Sequence, residues 1–334
     1  MGVSNKMKKI LNYLFEHKNL SREQAKEVLL NISKSMYSES EIAAFVTVYL
    51  MRSITIEELQ GFRDALLELC IPVNLHEHDV MDIVGTGGDG KDTFNISTLS
   101  CFIVAGTGNK VAKHGNYGAS SISGSSNVME QIGYKFKNDV STLKKEIETA
   151  NICFLHAPLF HPALKVVGPV RKSLGIRTFF NMLGPMVNPA MPKYQLVGVY
   201  SLEMARIYNY LLQQNEGAFT IIHSLDGYDE ISLTGDTKII TNSGEKVMTA
   251  EQLGKRTVNA IDIQGGDTVE AAAKIFLDIL QGKGTASQNA VVLANSAMAL
   301  QCTGKYKSYE DCYQLAVQSL ESGKAYECLK KLVN

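Results

Sequence analysis

Two groups of residues in this 334-residue sequence have the composition of phosphate-binding turns. The first is Gly85-Thr86-Gly87-Gly88-Asp89-Gly90, which follows a short apolar run and precedes hydroxyl residues and a helix-compatible stretch, 99–105. Glycines let backbone N–H groups approach a ligand closely, and the N-terminus of a following helix favours an anion. The segment therefore predicts a site for a phosphate or a pyrophosphate.

Two known phosphate-binding patterns compete for this glycine turn. Gly85, Gly87 and Gly90 match the dinucleotide fingerprint, but that pattern also requires an acid about 20 residues further on. The corresponding segment, 108–114, contains lysines and no acid. The turn also matches the G-x-x-x-x-G-K pattern of a P-loop, but Asp92 occupies the position where a P-loop needs Ser or Thr for magnesium. The glycines alone are equally compatible with a tight surface turn.

The second group favours a different phosphate site. Lys113-His114-Gly115-Asn116 follows a predicted strand, 110–112, and is itself followed by a hydroxyl-rich segment, 120–127. Two such turns can converge beside one ligand when they lie at the carboxyl ends of neighbouring parallel strands. The pair of turns therefore predicts that both lie beside the same phosphate or pyrophosphate ligand.

The secondary-structure elements that must position these turns show two sequence patterns, one in each part of the chain. In the first 70 residues, capping boxes begin at Ser21, Ser38 and Thr55, each opening an amphipathic segment. One of these segments has an apolar stripe at helical spacing, which predicts packing in a small helical bundle. The stripe consists of Ile42, Phe45, Val46 and Tyr49.

From about Val73, short β-rich runs alternate with helical stretches. This alternation predicts a mostly parallel central sheet covered by helices. The predicted strands are Met81–Val84, Lys110–Ala112, Cys153–Leu155, Gln195–Tyr200, Phe219–Ser224 and Lys238–Thr241. The sequence thus predicts an α/β protein with a small N-terminal helical domain, 1–72, and a larger α/β domain, 73–334.

Motifs along nearly the whole chain resemble, in their order, those of the anthranilate phosphoribosyltransferases, a family of nucleoside-phosphorylase-like phosphoribosyltransferases. The motifs are Gly85–Gly90, Asn95-x-Ser97-Thr98, Lys113–Asn116, His161-Pro162-Ala163, Val170–Pro185 and Asp226-Gly227-x-Asp229-Glu230. The resemblance implies transfer of the 5-phosphoribosyl group from phosphoribosyl diphosphate to the amine of anthranilate, in tryptophan biosynthesis. It also implies a segment, about 161–184, that returns to the helical domain and brings acceptor-binding residues across the cleft, and a homodimer formed through the helical domain.

The resemblance assigns the donor site to residues of the two turns. The implied phosphoribosyl-diphosphate-binding residues are Gly85, Gly88, Asp89, Thr93, Asn95, Ile96, Ser97, Thr98, Lys113, Ser120, Ser121 and Ser125. Among them, Asn95 and Thr98 would bind phosphate-side oxygens, and Lys113 would counter the charge of the pyrophosphate. The implied chemistry needs no acid or base residue, because an aromatic amine attacks as the neutral base; positioning and charge stabilisation would suffice.

Asp229 and Glu230 are the candidate magnesium ligands. Adjacent carboxylates after a strand and a turn repel each other unless a cation or solvent intervenes, and Mg²⁺ binds phosphate oxygens together with a few carboxylates. A solvated surface pair is the alternative interpretation of the two acids alone. By resemblance, Ser97 supplies an oxygen to a second magnesium ion, so two Mg²⁺ ions are expected.

The acceptor needs a cation for the anthranilate carboxylate. Arg171 suits this role because its planar guanidinium matches a carboxylate, although Arg171 beside Lys172 could equally belong to a solvated helix face. By resemblance, Gly85, His114 and Asn116 contact the acceptor, and His161 lines its entry channel.

Several positions depart from the pattern of the resembled family. Tyr117 follows Lys113–Asn116 where an arginine is usual, and Ser126-Asn127 replaces Ala-Asp. His156 occupies the position of a phenylalanine, and Ser224 occupies that of a glycine after His223. None of these changes affects the glycine turn.

Composition narrows the remaining alternatives. A formal net charge of −1 gives no reason to expect binding to nucleic acid or to an anionic membrane, and we expect neither partner. The sequence has no apolar run of membrane-spanning length and no secretory signal. Its six cysteines are scattered and form no C-x-x-C pair. We therefore expect a cytoplasmic protein with reduced thiols. Two relatives of the same architecture remain as rivals. A pyrimidine-nucleoside phosphorylase would carry an arginine and serines in the second motif, and a non-catalytic nucleic-acid-binding relative would be basic with an eroded glycine turn.

Overall fold

The computed structural model describes residues 4–118 and 121–333. The chain folds into two compact units, each made of two stretches of sequence. The helical unit contains Met1–Pro72 and Ala157–Pro189, and the α/β unit contains Val73–His156 and Ala190–Asn334. The segment predicted to return to the helical domain, about 161–184, lies within the second stretch of the helical unit.

The helical unit begins with four helices, three of which start at the capping boxes of the sequence. Ser21, Ser38 and Thr55 each cap a helix with a complete capping box, so these three predictions are confirmed. The helices are α1 (Ser4–Phe15), α2 (Arg22–Ser33), α3 (Glu39–Met51) and α4 (Ile56–Leu69). The second stretch adds α8 (Ala157–Phe160), α9 (Ala163–Leu174), α10 (Phe180–Leu183) and a 3₁₀ turn, Gly184–Met186.

Aromatic packing fastens the second stretch of this unit to the first. Phe179 stacks on Phe62 with ring centroids 4.5 Å apart, and it makes edge contacts with Phe45 and Tyr49 at 6.4 and 5.1 Å. Phe45 and Tyr49 belong to the apolar stripe predicted from the sequence, which is buried as expected for a bundle core.

A seven-stranded sheet in the order β3-β2-β1-β4-β5-β6-β7 forms the centre of the α/β unit. Strands β1 to β5 pair in parallel, whereas β6 and β7 pair antiparallel, so the predicted mostly parallel sheet is confirmed. The strands are β1 (Met81–Gly85), β2 (Val111–Gly115), β3 (Ile152–His156), β4 (Tyr194–Gly198), β5 (Ala218–Ser224), β6 (Thr237–Thr241) and β7 (Gly244–Met248).

The strand order reverses between β1 and β4. From β1 the chain proceeds to β2 and β3 on one side, and the later strands follow on the other side. In open parallel sheets, ligands bind beyond the carboxyl ends of the strands at such a reversal. Gly85 and Gly198 end the two strands here and are register partners.

Helices bury the faces of the sheet and complete the core. Helices α5 and α14 pack together and contact β1 and β4, and α11 packs against β5. The helices of this unit are α5 (Ile96–Gly106), α6 (Ser125–Gln131), α7 (Val140–Ala150), α11 (Leu202–Leu212), α12 (Ala250–Gly254), α13 (Val269–Leu280), α14 (Ala286–Cys302), α15 (Tyr309–Glu321) and α16 (Lys324–Val333), with a 3₁₀ turn at Ala260–Ile263.

Among the described residues, no helix is both long and apolar enough to cross a membrane. All six cysteines are free thiols.

Candidate active site

The glycine turn follows β1 directly and has a backbone that only glycine adopts easily. Gly87, Gly88 and Gly90 have φ values of +67°, +81° and +73°, in the left-handed region. Its far end is fixed to another segment, because the amide of Phe94 donates to the carbonyl of Ile263 at 3.1 Å. The turn therefore has left-handed glycines and an anchored far end, and it lies at the reversal of strand order.

The acidic pair lies against the ends of the two central strands. The Gly87 amide donates to Oδ2 of Asp229 at 2.6 Å. A Cβ on Gly85 would lie 2.5 Å from that same Oδ2, and a Cβ on Gly198 would lie only 1.6 Å from the carbonyl oxygen of Asp229. These two strand ends lack side chains, and this is what allows Asp229 to approach. Gly198 was not predicted from the sequence as a functional residue.

The side chain of Glu230 lies at the N-terminus of α5. Its Oε1 accepts a hydrogen bond from the Ser97 amide at 3.2 Å, where the helix exposes unpaired N–H groups. The Nζ of Lys113, from the neighbouring strand β2, donates to the carbonyl of Ile83 at 2.6 Å and lies 3.5 Å from the Ser97 hydroxyl. Two predicted donor-site residues, Ser97 and Lys113, are thus brought together with the two candidate magnesium ligands, Asp229 and Glu230.

The acidic residues strongly perturb one another. Burial raises the pKa of Asp229 well above its usual range, and the nearby carboxylates of Asp89 and Glu230 raise it further. Burial also raises the pKa of Glu230 to about 7, although the charge of Lys113 acts in the opposite direction. The buried carboxyl groups of Asp229 and Glu230 and the partly buried one of Asp89 share this region with the buried ammonium group of Lys113. Such an excess of buried acid favours binding of a further cation.

Several hydroxyl and carboxyl oxygens of the loops are buried without a hydrogen-bond partner. They are Thr86 Oγ1, Asp89 Oδ2 and Ser123 Oγ. Since buried polar atoms are nearly always paired in native proteins, these atoms indicate where a ligand would bind. Asp89 was predicted from the sequence, whereas Thr86 and Ser123 were not; each lies within a quoted motif segment, and only its burial distinguishes it.

The other donor residues that the structure describes lie in the same loops or in the first turn of α5. Asn95 precedes α5 and donates from its Nδ2 to the carbonyl of Ser123 at 3.1 Å. Thr93 forms an isolated antiparallel β-bridge with Gln264. Ser125 donates from its Oγ to the carbonyl of Asn116 at 3.3 Å. Ile96 and Thr98 are buried in the first turn of α5, and Ser121 is exposed. Ser120 lies outside the described residues.

Three departures from the family pattern pack around the segment after β2. The ring of His156 stacks on Phe136, with centroids 4.2 Å apart, and meets the edge of Tyr117 at 4.9 Å. His156 Nδ1 lies 2.8 Å from the Ser126 hydroxyl, and burial lowers the pKa of His156 to about 4. Asn127 Oδ1 accepts hydrogen bonds from the amides of Gly118 and Gly124, at 2.9 and 3.0 Å.

Three predicted acceptor residues, Gly85, His114 and Asn116, belong to the α/β unit. His114 is nearly fully buried in β2, and its backbone amide donates to Asp82 Oδ1 at 3.2 Å. Asn116 is exposed just after the strand, and its Oδ1 accepts the Tyr117 amide at 2.8 Å.

The other two, Arg171 and His161, belong to the helical unit. Arg171 lies in the last turn of α9, half-buried, with its guanidinium over the Phe180 ring at 5.6 Å. Burial lowers the pKa of Arg171, and among the described residues no carboxylate forms a salt bridge with it. His161 is only 1% exposed, and burial lowers its pKa to about 4. Arg171 therefore has the environment of an anion-binding residue, whereas His161 has that of a core histidine.

The oxygen atoms around the acidic pair fit a magnesium site completed by a substrate. Asp229 and Glu230 are both buried, the Ser97 hydroxyl is close by, and Asp89 has a free oxygen. Within the described part of the chain, no three His, Cys, Asp or Glu side chains are grouped as a ready-made metal site. Mg²⁺ commonly binds through one or two carboxylates together with substrate phosphates, so this donor set suits it.

Two family models match the chain in the order of its sequence. The model described as the glycosyl transferase family, helical bundle domain, matches residues 8–70, and the model for the a/b domain of that family matches residues 77–326. Together they cover both architectures described above.

Individual relatives agree over nearly the full length. Anthranilate phosphoribosyltransferase from Christiangramia forsetii is 60% identical over 326 residues, which cover 98% of each chain. The enzyme of that name from Bacteroides thetaiotaomicron is 54% identical, with the same coverage of both chains.

Solved structures show the same fold. Anthranilate phosphoribosyltransferase from Thermus thermophilus superposes with a TM-score of 0.89 at 30% identity, covering 100% of this chain and 98% of that one. The enzyme from Saccharomyces cerevisiae, in complex with PRPP and Mg, gives a TM-score of 0.87 at 25% identity, covering 98% and 97%.

Proposed function

The chain belongs to the anthranilate phosphoribosyltransferase family, and we propose that it transfers the 5-phosphoribosyl group of phosphoribosyl diphosphate to the amine of anthranilate. The products are N-(5-phosphoribosyl)anthranilate and pyrophosphate, in a step of tryptophan biosynthesis. The observation that carries the proposal is the assembly of Lys113, Ser97 and the Asp229–Glu230 pair beyond the ends of β1 and β4.

We assign the donor site to the glycine turn, the N-terminus of α5 and the loop after β2. The N-terminus of α5 attracts anions through its unpaired amides, and the unpartnered oxygens of Thr86 and Ser123 can bond to hydroxyl groups of a ribose. Lys113 provides a buried positive charge for the diphosphate. These groups are arranged for a ligand with several phosphate oxygens and free hydroxyl groups.

Magnesium fits the acidic side of this site. In our proposal Asp229 and Glu230 hold one ion and the Ser97 hydroxyl reaches a second one. The yeast relative is in complex with PRPP and Mg, which supports the use of this metal. When bound, Mg²⁺ would neutralise charge that develops on the departing pyrophosphate.

The protein's own part in the reaction is positioning and charge stabilisation. Lys113 holds its ammonium group by donating to the Ile83 carbonyl, so its charge is fixed before the substrate binds. Fixed charges in a buried site stabilise developing charge without reorganisation at the moment of reaction. No side chain is assigned as a proton acceptor, because the neutral aromatic amine is itself the nucleophile.

We assign the acceptor carboxylate to Arg171. Its guanidinium is half-buried and has no carboxylate partner among the described residues, although it packs on an aromatic ring. A desolvated guanidinium gains most from a bidentate carboxylate ligand. We also propose acceptor contacts for Gly85, His114, Asn116 and His161, each by its match to the motifs of the family.

We further propose a homodimer formed through the helical unit. Large apolar side chains are exposed on its helices, including Phe15 at 60% and Met51 at 85%. Exposed apolar side chains mark protein interfaces where they join into a patch. Sedimentation of the purified protein would test this.

We also place the protein in the cytoplasm, since its six thiols are free.

A substrate-pairing experiment tests the function. The purified enzyme is given anthranilate with phosphoribosyl diphosphate, and separately a pyrimidine nucleoside with inorganic phosphate, each with and without Mg²⁺. We expect turnover only with the first pair and only with Mg²⁺. Phosphorolysis of the nucleoside, without consumption of anthranilate, would contradict the proposal.

A further inference from the structure

Buried side chains hold the backbone that carries the acidic pair. Ser224 is the last residue of β5 and is fully buried, and its Oγ lies 2.6 Å from the carbonyl oxygen of Glu230. Asn295 of α14 is also fully buried, and its side-chain amide accepts the Ile231 N–H at 3.0 Å and donates to the Ile231 carbonyl at 2.9 Å. Two consecutive residues are therefore fastened by side chains from separate elements.

The direction of the Ser224 hydrogen bond follows from its partners. The hydroxyl has one proton, and the Glu230 carbonyl can only accept, so Ser224 donates to it. The lone pairs of the hydroxyl then face the Ser232 amide at 3.3 Å and the Ser232 hydroxyl at 3.2 Å. The Ser224 side chain thus bridges the backbone on both sides of Ile231.

This bridge acts directly on a residue of the proposed metal site. The same Glu230 whose carbonyl is held by Ser224 directs its carboxylate to the Ser97 amide at the start of α5. The pattern of the resembled family has glycine at position 224, which could not make this bond. A side chain that has no contact with a substrate can therefore determine where a candidate metal ligand points.

We propose that Ser224 and Asn295 are positioning residues that fix the backbone of Glu230–Ile231 and so orient the Glu230 carboxylate for magnesium and the diphosphate. This proposal rests on the proposed function. Outer partners of metal-binding side chains commonly change metal affinity or activity by about 10- to 100-fold when they are removed. Because Ser224 acts through the backbone, we expect an effect near the lower limit of that range.

The test compares two buried serines. Ser224→Ala removes the bridge, whereas Ser319→Ala removes a buried hydroxyl of α15 that donates to the Ile103 carbonyl of α5 at 2.7 Å. Each change deletes a buried hydrogen bond to a backbone carbonyl, and Ser224→Ala also deletes the two bonds accepted from Ser232, so both variants should have a lower melting temperature. Only Ser224→Ala should accelerate amide hydrogen exchange at Glu230–Ser232.

Metal-dependent binding provides the second measurement. Calorimetry of phosphoribosyl diphosphate binding at increasing Mg²⁺ should show an increase of about 10-fold in the Mg²⁺ concentration for half-saturation in Ser224→Ala, with no change in Ser319→Ala. The KM for anthranilate should change little. Ser224→Gly, the residue of the family pattern, should behave like the alanine variant, and Ser224→Thr should restore part of the affinity because it keeps the hydroxyl.

Two outcomes would overturn the proposal. In the first, hydrogen exchange at Glu230–Ser232 and the Mg²⁺ half-saturation both stay at wild-type values in Ser224→Ala and Ser224→Gly. In the second, Ser319→Ala produces the same changes, which would make the effect one of stability alone. A different result, normal Mg²⁺ dependence after loss of both Asp229 and Glu230, would instead refute the proposed metal site, and the exchange measurement would still decide whether Ser224 holds the backbone.

Discussion

Adding one methyl group at Gly198 should displace the acidic pair. A Cβ at this position would lie 1.6 Å from the carbonyl oxygen of Asp229, whereas ordinary contact begins at 3.4 Å, so one of the two backbones must move by about 1.8 Å. The added Cβ, at the end of β4, would clash with a backbone atom in the loop that follows β5. No side-chain rotation can relieve this clash. The Asp229 carboxylate, which the Gly87 amide holds at 2.6 Å, would move with its backbone.

The expected cost can be worked out from this displacement. A misplacement of about 1 Å at a reacting centre can cost about 10²-fold in rate. We therefore expect Gly198→Ala to lose at least about 100-fold in kcat/KM for phosphoribosyl diphosphate, equivalent to about 2.7 kcal/mol of transition-state stabilisation. Overpacking of a well-packed region also destabilises the fold, typically by about 1–3 kcal/mol.

Gly106→Ala is the matched control. A Cβ there would lie 2.2 Å from Ser319 Oγ and 2.8 Å from the Ala325 amide nitrogen, at the end of α5 that is remote from the acidic pair. It should lower stability by a similar amount but keep the wild-type dependence on Mg²⁺ at temperatures where it is folded. Steady-state kinetics with varied Mg²⁺, together with thermal unfolding, separate the two effects. Wild-type kcat/KM in a folded Gly198→Ala variant would refute the reasoning.

Four further changes test individual assignments. Replacing both Asp229 and Glu230 by alanine should abolish the dependence of diphosphate binding on Mg²⁺ while leaving the protein folded, and unchanged dependence would remove the pair from the site. Gly88 has φ +81°, so Gly88→Val should be strained and should lose diphosphate binding in calorimetry; wild-type affinity would contradict this. Arg171→Ala should raise the KM for anthranilate by roughly 10- to 150-fold, the equivalent of losing one charge-assisted pair, with lysine restoring only part, and an equal defect for both substrates would assign Arg171 to fold rather than to binding. Burial lowers the pKa of His156 to about 4, below its value of about 6.5 when unfolded, so stability is lost as pH falls from about 6.5 to 4; by pH 5 the loss is about 2 kcal/mol, and denaturant titrations of His156→Phe should lack this loss.

Local signals in the sequence were sufficient for most of the elements. The capping boxes at Ser21, Ser38 and Thr55 predict the starts of three helices because the cap is a contact between neighbours in sequence. All six predicted strands exist, with limits shifted by up to three residues. Strand β7, Gly244–Met248, was not predicted, because its exposed polar sequence lacks the apolar alternation of a half-buried strand.

The family and its reaction were also predicted correctly, because the motifs and their order can be recognised in the sequence without the structure. The supporting residues were not found in this way. Gly198 matters because of what approaches its missing side chain, and Asn295 belongs to a largely apolar helix in which nothing local indicates its bonds to Ile231. Ser224 was noticed as a departure from the family pattern, but only the structure shows its contact with Glu230. Such roles depend on residues distant in sequence.

This chain transfers a phosphoribosyl group to the amine of anthranilate by breaking the C1–O bond that joins the ribose to pyrophosphate. The most direct test measures the decline of anthranilate fluorescence and the release of pyrophosphate in one reaction. We expect anthranilate consumption and pyrophosphate release in equal molar amounts, and only when phosphoribosyl diphosphate and Mg²⁺ are both present. Neither should occur in the variant lacking Asp229 and Glu230. Pyrophosphate release without consumption of anthranilate, or consumption of anthranilate without Mg²⁺, would contradict this expectation.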